Sequence, residues 1–138
     1  MTYTSLRKGI LLAGGQGKRL APLTSAFSKQ LMPVYDKPMI YYSLTTLMLC
    51  GIKNILLICD PDNIDLYHRL LGDGSKWGIE LSFAIQQTPE GVAQSVLIGE
   101  EFIDSSHIAI ALGDNIFHGN EFITLLRSAD TLKKGSTV

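Results

Sequence analysis

Apolar and polar positions follow one another along this chain in blocks of two kinds. In the first kind, nearly every residue of a short run is apolar, as in Leu11-Leu12-Ala13. Short apolar runs between polar or glycine-rich stretches are typical of strands that are buried on both faces of a sheet. They predict four strands, at Gly9–Ala13, Ile55–Cys59, Ile79–Ile85 and His107–Leu112.

The second kind of block repeats its apolar residues at three- and four-residue spacing, which predicts helices. Two of these helices open with proline motifs, Asp36-Lys37-Pro38 and Asp60-Pro61, and the first is expected to end at Gly51. Two further helices are predicted over Val92–Phe102 and Glu121–Lys133.

Strand and helix therefore alternate four times along the chain. Because parallel neighbours need crossover connections, this order predicts an α/β fold, a mostly parallel sheet with helices on both faces. The 138 residues contain no linker, repeat or low-complexity tract, so one domain is expected. Residues 1–6 are expected to form a loose terminus, and Gly135–Val138 to begin another strand.

A glycine-rich turn follows the first predicted strand and ends in two cations. Gly14, Gly15 and Gly17 allow a tight bend that exposes backbone N–H groups, and Lys18 and Arg19 add full positive charges. Successive N–H groups that point inward bind anions. The turn is therefore interpreted as a phosphate-binding loop, with a purely structural turn as the alternative.

Two familiar phosphate-binding motifs do not fit this turn. A Walker loop needs a glycine where the chain has Leu12, and Ser or Thr where it has Arg19. A dinucleotide fingerprint that starts at Gly15 needs a third glycine where the chain has Leu20. The turn is therefore expected to bind phosphate in another way.

Three polar clusters are expected to meet at one edge of the sheet. The glycine-rich turn follows the first strand, residues 86–91 follow the third, and Asp114 follows the fourth. In such sheets ligands bind beyond the carboxyl ends of the strands. Taken singly, Lys29 in a polar loop and Asp114 in a Gly-Asp-Asn turn are also ordinary surface residues. Together the clusters predict a ligand site.

Composition excludes several classes of partner. The net charge of −1 gives no general attraction to nucleic acid or to an anionic membrane. No signal peptide or membrane-length apolar run is present, so a cytoplasmic protein is expected. Cys50 and Cys59 are interpreted as buried free thiols. Three histidines, His68, His107 and His118, are too scattered to predict a zinc site.

Longer stretches of the sequence carry a specific resemblance. Gly14–Thr24, followed by Lys29 and Pro33, resembles the signature of sugar-1-phosphate nucleotidyltransferases. The resemblance extends over Ser28–Tyr42, Leu71–Gly78 and Leu112–Phe117. It implies a three-layer, Rossmann-like nucleotidyltransferase fold that is truncated at its C-terminal end. Residues 1–138 would then be the nucleotide-binding N-terminal part, without the sugar-binding C-terminal part.

The same resemblance implies a reaction and its partners. A thymidylyl group would pass from dTTP to glucose 1-phosphate, with Mg²⁺, to give dTDP-glucose and pyrophosphate. The product would serve the synthesis of surface polysaccharide, and the protein would be a homo-oligomer, a tetramer in full-length relatives. Two alternatives stay open: a truncated fragment that binds nucleotide without turnover, and a uridylyl- or cytidylyltransferase of the same family.

The resemblance assigns catalysis to three charged side chains. Arg19 would hold the triphosphate and the departing pyrophosphate, because its planar guanidinium binds phosphate oxygens in pairs. Lys29 would hold the α-phosphate or the attacking phosphate as a point charge. Asp114 would hold Mg²⁺, which bridges phosphate oxygens.

The nucleotide-binding set that the resemblance implies is larger. Gln86 and Gly91 would select the base, because a glutamine amide presents a donor and an acceptor that match the imide edge of thymine or uracil. Gln30 would contact the ribose. Lys18, which stands where the family usually has Thr or Ser, would contact the triphosphate as a flexible cation. The full set is Leu12, Gly14, Gly15, Gly17, Lys18, Arg19, Lys29, Gln30, Gln86, Gly91 and Asp114.

Overall fold

The computed structural model describes residues 5–138. Most of the loose terminus that the sequence predicts therefore lies outside the described residues. Ser5, however, is buried, and its backbone N–H donates to the carbonyl oxygen of Gly51 at 2.9 Å. The prediction of a loose terminus is wrong for this residue, because a backbone hydrogen bond anchors it.

Short apolar segments form the main strands, as the sequence predicts. Each of the four predicted strands agrees with the structure to within one residue at both ends. The strands of the described chain are Lys8–Leu12 (β1), Pro33–Val34 (β2), Lys37–Pro38 (β3), Asn54–Cys59 (β4), Glu80–Ile85 (β5) and Ile108–Leu112 (β6).

Helices connect these strands. The α-helices of the described chain are Met39–Leu49 (α1), Ile64–Leu71 (α2), Gln94–Ile98 (α3), Glu100–Ile103 (α4) and Phe122–Asp130 (α5). Short 3₁₀ turns occur at Lys18–Leu20, Leu23–Ser25, Lys29–Leu31 and Ser75–Trp77.

Four strands form one parallel sheet in the order β5-β4-β1-β6. Leu12 is in register with both Ile58 and Leu112, and Cys59 is in register with Ile85. The carboxyl ends of the strands are therefore level at one edge of the sheet. The loops that follow all four strands begin at this edge.

Helices cover both faces of the sheet, which confirms the predicted three-layer α/β fold. On one face α1 and α2 pack against the strands through Leu44 and Tyr67, both buried. On the other face α3 and α4 pack through Ile98 and Phe102. The larger core lies on the α1 and α2 side, because more fully buried side chains gather there.

The first helix begins later than its proline motif predicts. Lys37–Pro38 instead forms β3, which pairs antiparallel with β2 across a turn at Tyr35, where φ is 60°. Pro38 has an extended backbone and directly precedes α1. Since proline has no N–H to donate, it fits this boundary position. The predicted end of the helix is confirmed, because Gly51 follows α1 with a φ of 79°.

The second helix also begins late, at Ile64 rather than at Asp60-Pro61. The Asn63 side-chain amide donates to the Asp60 carboxylate at 2.6 Å, and the Asn63 backbone N–H donates to the Asp60 carbonyl oxygen. Such side-chain hydrogen bonds compete with helical ones. They hold these residues in a turn before the helix.

The predicted helix over Val92–Phe102 is interrupted. It forms two short helices, α3 and α4, that meet at Gly99. A Cβ atom on Gly99 would lie 3.1 Å from the carbonyl oxygen of Ser95 and 3.3 Å from side-chain atoms of Ile10 and Leu56. The chain is therefore pressed against the sheet at Gly99, which the periodicity does not reveal.

The C-terminal segment departs from two expectations. The helix predicted over Glu121–Lys133 is confirmed but shorter, as α5, and its Leu125 is 64% exposed. The strand predicted at Gly135–Val138 is wrong, because these residues lie outside both sheets of the described chain. A strand needs a neighbouring backbone that pairs with it.

Cys50 and Cys59 are both free and buried, as the sequence predicts. Burial raises the pKa of both thiols, that of Cys59 to about 12. Within residues 5–138, no helix has the length and apolar character needed to cross a membrane.

Truncating Leu57 tests the core. This side chain is fully buried in β4, which has a neighbour on each side in the sheet. We expect Leu57→Ala to lower the free energy of unfolding by about 2–5 kcal/mol, measured by urea denaturation. The matched control is Leu6→Ala, because Leu6 is 97% exposed, and its effect should stay below about 0.5 kcal/mol. If Leu57→Ala and Leu6→Ala lowered the free energy of unfolding equally, the buried packing of Leu57 would be contradicted.

The Cys59 thiol generates a pH dependence. Its pKa is about 12 in the folded protein, whereas an unfolded thiol ionises near pH 8.5. Above that pH the unfolded state releases a proton that the folded state keeps, so stability falls. We expect the stability difference between the wild type and Cys59→Ala to shrink by up to about 1.4 kcal/mol per pH unit from pH 9 to 11. A difference independent of pH in urea denaturation would argue against the raised pKa.

Candidate active site

The strand order creates a crevice between β1 and β6. From β1 the chain runs to β4 and β5 on one side, and it then returns to place β6 on the other side of β1. In open parallel sheets, ligands bind beyond the carboxyl ends of the strands at such a switch point. The glycine-rich turn leaves β1 here and the Asp114 turn leaves β6, so both lie at the crevice.

Lys29 and Asp114 form an ion pair at this crevice. Lys29 Nζ lies 2.5 Å from Oδ2 of Asp114, and the two side chains are 28% and 34% exposed. The contact joins residues 85 positions apart in the sequence. Because both groups are partly exposed, a ligand can reach them. The sequence predicts Lys29 and Asp114 separately as site residues, and the structure brings them into contact.

The turn that carries Asp114 is fixed from two sides. The backbone N–H of Gly113 donates to the carbonyl oxygen of Leu12 at 2.8 Å, and a Cβ on Gly113 would lie 3.0 Å from the same oxygen. Ser43 on α1 is buried, and its Oγ lies 2.8 Å from the Leu112 carbonyl oxygen and 2.9 Å from that of Asn115. Helix α1 therefore holds the backbone on both sides of Asp114.

Lys29 is positioned by the folded glycine-rich turn. Gly17 has a φ of 54°, and a Cβ there would lie 2.7 Å from Cγ2 of Thr24 and 3.3 Å from Cβ of Lys29. The Thr24 hydroxyl donates to the Gly17 carbonyl oxygen at 2.9 Å. Glycine therefore lets the turn pack directly against the segment that carries Lys29.

A buried hydrogen-bond network ties this segment to β1 and α2. Gln30 is 4% exposed, and its Nε2 donates to the carbonyl oxygen of Gly14 at 3.3 Å. The Ser28 hydroxyl donates to Oε1 of Gln30 and lies 3.0 Å from the Tyr67 hydroxyl. Tyr67 in turn donates to the Ala13 carbonyl oxygen at 3.4 Å. Burial raises the pKa of Tyr67, so its hydroxyl remains a donor.

Gln86 follows β5 and is 4% exposed. Its backbone N–H donates to the Cys59 carbonyl oxygen at 2.8 Å, and its Nε2 donates to Oε1 of Gln94 at 2.5 Å. Its own Oε1 lies 2.5 Å from the position that a Cβ on Gly14 would occupy. Gly14 therefore leaves room for the carbonyl end of a buried amide.

Two clefts open at this edge of the sheet. The strand-edge cleft, of about 230 Å³, is lined by Leu12, Gly14, Gln30, Gln86, Pro89, Gly91, Val92, Leu112 and Asp114. The loop cleft, of about 460 Å³, lies along the glycine-rich turn and includes Gly15, Gln16 and Lys18. Gln86 and Pro89 line both clefts, so an elongated ligand can extend from one to the other.

Most of the site residues that the sequence predicts come together. The strand-edge cleft is lined by Leu12, Gly14, Gln30, Gln86, Gly91 and Asp114, and the loop cleft by Gly15 and Lys18. Lys29 contacts Asp114, and Gly17 packs against Lys29.

Arg19 is exposed, lines neither cleft and forms no salt bridge within residues 5–138. Its predicted contact with phosphate stays a prediction.

Asp114 fits Mg²⁺ only together with the phosphates of a ligand. Within residues 5–138 no cluster of three or more His, Cys, Asp or Glu side chains could hold a metal ion. Mg²⁺ is often bound by one or two carboxylates and by substrate phosphates. Asp114 offers such a carboxylate, whose Oδ2 contacts Lys29. The chemistry of this donor therefore fits the metal.

Sequence reasoning missed Ser43 and Gln94. A signal for Ser43 exists, because it lies at helical spacing from the buried residues Ile40 and Leu47. A polar side chain on a buried helix face needs a hydrogen-bond partner, so its role could have been predicted. Gln94 gives no comparable signal, since its partners depend on how the loop after β5 folds.

A comparison with protein families agrees with this architecture. The sequence matches the family model described as nucleotidyl transferase over residues 8–138. The match includes every residue of the crevice named above. The chain therefore belongs to the nucleotidyl transferase family.

Its similar curated relatives include glucose-1-phosphate thymidylyltransferases. The chain is 53% identical over 132 residues to the enzyme of that name from Xanthomonas campestris pv. campestris. It is 54% identical over 131 residues to the one from Neisseria meningitidis. These alignments cover 96% and 95% of this chain but only 45% and 46% of the relatives. The chain thus spans slightly less than half of their length.

Solved structures agree in fold. A Bacillus anthracis chain assigned as a glucose-1-phosphate thymidylyltransferase, in complex with sucrose, superimposes with a TM-score of 0.80 at 34% identity. That match covers 86% of this chain and 48% of the other. A UDP-glucose pyrophosphorylase complexed with UDP-glucose has a TM-score of 0.75 at 21% identity, covering 91% of this chain and 52% of that one. The second likeness shows the fold alone.

Replacing Gly14 by Ala tests the packing of Gln86. The new Cβ would lie 2.5 Å from Oε1 of Gln86, which is the end of a flexible side chain. We expect the amide to move, with shifted side-chain NH₂ signals of Gln86 in a ¹H–¹⁵N spectrum, while the free energy of unfolding changes by less than about 1 kcal/mol. The side-chain NH₂ signals that disappear in Gln86→Leu are those of Gln86, so this variant assigns them.

Gly119→Ala is the control for this variant, because nothing lies within 4 Å of its Cβ position and its φ is outside the left-handed region. This variant should leave the Gln86 signals in place. Unchanged Gln86 signals in Gly14→Ala would show that the amide does not lie against Gly14.

Proposed function

We propose that the crevice between β1 and β6 binds dTTP and glucose 1-phosphate and transfers the thymidylyl group between them. The observation that carries this proposal is the contact between Lys29 and Asp114, a cation and a carboxylate at the point where such sheets bind ligands. Relatives named for this reaction, at 50% to 59% identity, support the substrates.

The strand-edge cleft suits the nucleoside. Gln86 offers a donor and an acceptor side by side, which match the imide edge of thymine. Leu12, Gly14 and Gly91 line the same cleft, and Gly91 has a φ of 101°. We assign the base to Gln86 and Gly91 and the ribose to the side of Gln30.

The loop cleft suits the triphosphate. Gly15 and Lys18 line it, and backbone N–H groups in a glycine-rich turn bind phosphate oxygens. Arg19 lies on the adjoining 3₁₀ turn and is exposed, so it is free to reach a β- or γ-phosphate. We assign the triphosphate to this turn, with Lys18 in place of a hydroxyl donor.

The reaction brings two polyanions together. A pair of unit charges about 4 Å apart repels by about 4 kcal/mol at an effective dielectric constant of 20. The sugar phosphate oxygen forms a bond to the α-phosphorus, while the bond from that phosphorus to the bridging oxygen breaks and pyrophosphate leaves with the electron pair. Lys29 offsets the repulsion when its ammonium group contacts the α-phosphate, and Arg19 stabilises the departing pyrophosphate.

Asp114 would hold Mg²⁺, which would supply a further positive charge against the phosphates. The carboxylate also orients Lys29 before a ligand arrives, since their contact fixes the ammonium group at the crevice. Because the substrates are intracellular metabolites, we infer a cytoplasmic location.

A second function is binding without turnover. The relevant observation is length, because the chain spans 45% of a relative whose name states the complete reaction. Residues outside the aligned part of the relatives would then be needed for turnover. A uridylyl- or cytidylyltransferase is distinguished by the nucleotide that the crevice prefers.

The test measures binding and turnover separately. We expect dTTP to bind with Mg²⁺ about tenfold more tightly than without it, by isothermal titration calorimetry, and Asp114→Asn to abolish this gain. Asp65→Asn, an exposed carboxylate on α2, is the matched control and should keep it. Pyrophosphate release with glucose 1-phosphate separates an active enzyme from a binding fragment.

Two results would contradict the proposed function. The first is dTTP affinity that depends neither on Mg²⁺ nor on Asp114. The second is tighter binding of CTP or ATP than of dTTP, because Gln86 would then not select an imide base. Binding without pyrophosphate release would support the second function.

A further inference from the structure

Gln86 presents an acceptor without a protein partner at the strand-edge cleft. The side chain is 96% buried (4% exposed), yet within residues 5–138 its Oε1 accepts no hydrogen bond. This oxygen lies against Gly14, and both residues line the strand-edge cleft. Within residues 5–138 every buried side-chain oxygen and nitrogen has a hydrogen-bond partner, so this unpartnered oxygen is open to the cleft, where a ligand can bring an N–H donor to it.

The orientation of the Gln94 amide is fixed by two groups of Glu90, of which one can only donate a hydrogen bond and the other accepts one when ionised. The backbone N–H of Glu90, which can only donate, lies 3.0 Å from Oε1 of Gln94. The Glu90 carboxylate, an acceptor when ionised, lies 3.4 Å from Nε2 of Gln94. If the Gln94 amide were reversed, both contacts would become repulsive. Gln94 therefore directs its oxygen toward Gln86.

The orientation of Gln86 follows from that of Gln94. Nε2 of Gln86 donates to Oε1 of Gln94 at 2.5 Å. A reversed Gln86 would place two oxygens against each other and leave Oε1 of Gln94 with one donor. The carbonyl oxygen of Gln86 is thereby held toward Gly14, and its nitrogen keeps one N–H for another acceptor.

We infer that Gln94 is a positioning residue that locks the Gln86 amide and so makes it discriminate an imide base from a 4-aminopyrimidine. The inference rests on the proposed function, since it assumes that the base lies against Gln86. A glutamine that rotates freely about its last torsion can match either base, whereas a locked one cannot. Gln94 supplies the lock without contacting the ligand.

The discrimination follows from the two base edges. Uracil and thymine present an N3–H donor beside a carbonyl acceptor, which pairs with the locked oxygen and the remaining N–H of Gln86. Cytosine in the same position presents an N3 lone pair and a 4-amino group. The lone pair would face the Oε1 acceptor of Gln86, and the amino group would face its N–H donor, so neither could form a hydrogen bond. Without Gln94, Gln86 can turn by 180° and accept cytosine.

The test compares dUTP with dCTP, because these nucleotides share the same sugar and lack the 5-methyl group. Dissociation constants are measured by isothermal titration calorimetry with Mg²⁺ for the 138-residue chain. We expect the wild type to prefer dUTP and Gln94→Leu to lower the dUTP-to-dCTP affinity ratio at least about tenfold. Gln94→Met, which keeps the side-chain length, should act in the same way.

Two variants serve as controls. Glu90→Gln/Gln94→Glu keeps an acceptor toward Gln86 and restores the contact with residue 90, so it should retain the wild-type ratio. Gln87→Leu removes the exposed neighbouring glutamine and should also retain it. Because both nucleotides are measured on the same sample, partial unfolding lowers both affinities alike and leaves the ratio unchanged.

The outcomes separate the two proposals. A wild type that prefers dUTP, with a ratio that is unchanged in both Gln94→Leu and Gln94→Met, overturns the lock and leaves the proposed function standing. A wild type that binds neither dTTP nor dUTP overturns both. The positioning role of Gln94 is supported if the dUTP-to-dCTP affinity ratio falls in Gln94→Leu and Gln94→Met but is retained in Glu90→Gln/Gln94→Glu. A general structural defect would lower the ratio in the double variant as well.

Discussion

The close approach of the Asp114 turn to the end of β1 determines the rest of the site. Gly113 donates its backbone N–H to the Leu12 carbonyl oxygen, and a Cβ on Gly113 would come within 3.0 Å of that oxygen. With no side chain between them, the glycine-rich turn and the Asp114 turn leave the sheet side by side. This is what lets Lys29 meet Asp114. Any wider spacing of β1 and β6 at this edge would separate the charges that the proposed reaction needs.

Buried amides and hydroxyls, rather than surface charges, hold the crevice in shape. Gln30 is anchored to the Gly14 carbonyl oxygen, and Ser43 joins α1 to the backbone around Asp114. Each of these hydrogen bonds contributes only about 1 kcal/mol net to the free energy of unfolding. Leaving one of these buried groups unpaired would cost about 1–3 kcal/mol, so other arrangements of these side chains are disfavoured. Within residues 5–138 the Oε1 of Gln86 accepts no hydrogen bond and is not a buried atom, so it is available to a donor from a ligand in the cleft.

Sequence predicted what depends on local chemistry, and missed what depends on contacts between distant residues. The four strands were predicted to within a residue, because runs such as Ile55–Cys59 leave little choice once both faces are buried. The start of α2 and the break at Gly99 were not predicted, since they depend on an Asp60–Asn63 hydrogen bond and on contact with the sheet. For the site, edge placement and the family resemblance identified Asp114, and the resemblance identified Lys29, but the contact between them was not predicted. The role of Gln94 depends on the folded loop and could not be predicted.

In the proposed function, the crevice recognises its ligand through two kinds of group. Gln86 is buried. Glu90 fixes the orientation of the Gln94 amide and Gln94 fixes that of the Gln86 amide, so the donor and the acceptor of Gln86 have fixed directions. Lys18 and Arg19 are exposed, with side chains long enough to follow a flexible triphosphate. A fixed amide can distinguish bases only because it cannot adapt, whereas a mobile cation attracts phosphate in many geometries and distinguishes little. In the proposed function, Lys18 therefore bears on the strength of phosphate binding, while the choice of base is decided by the buried side of the cleft.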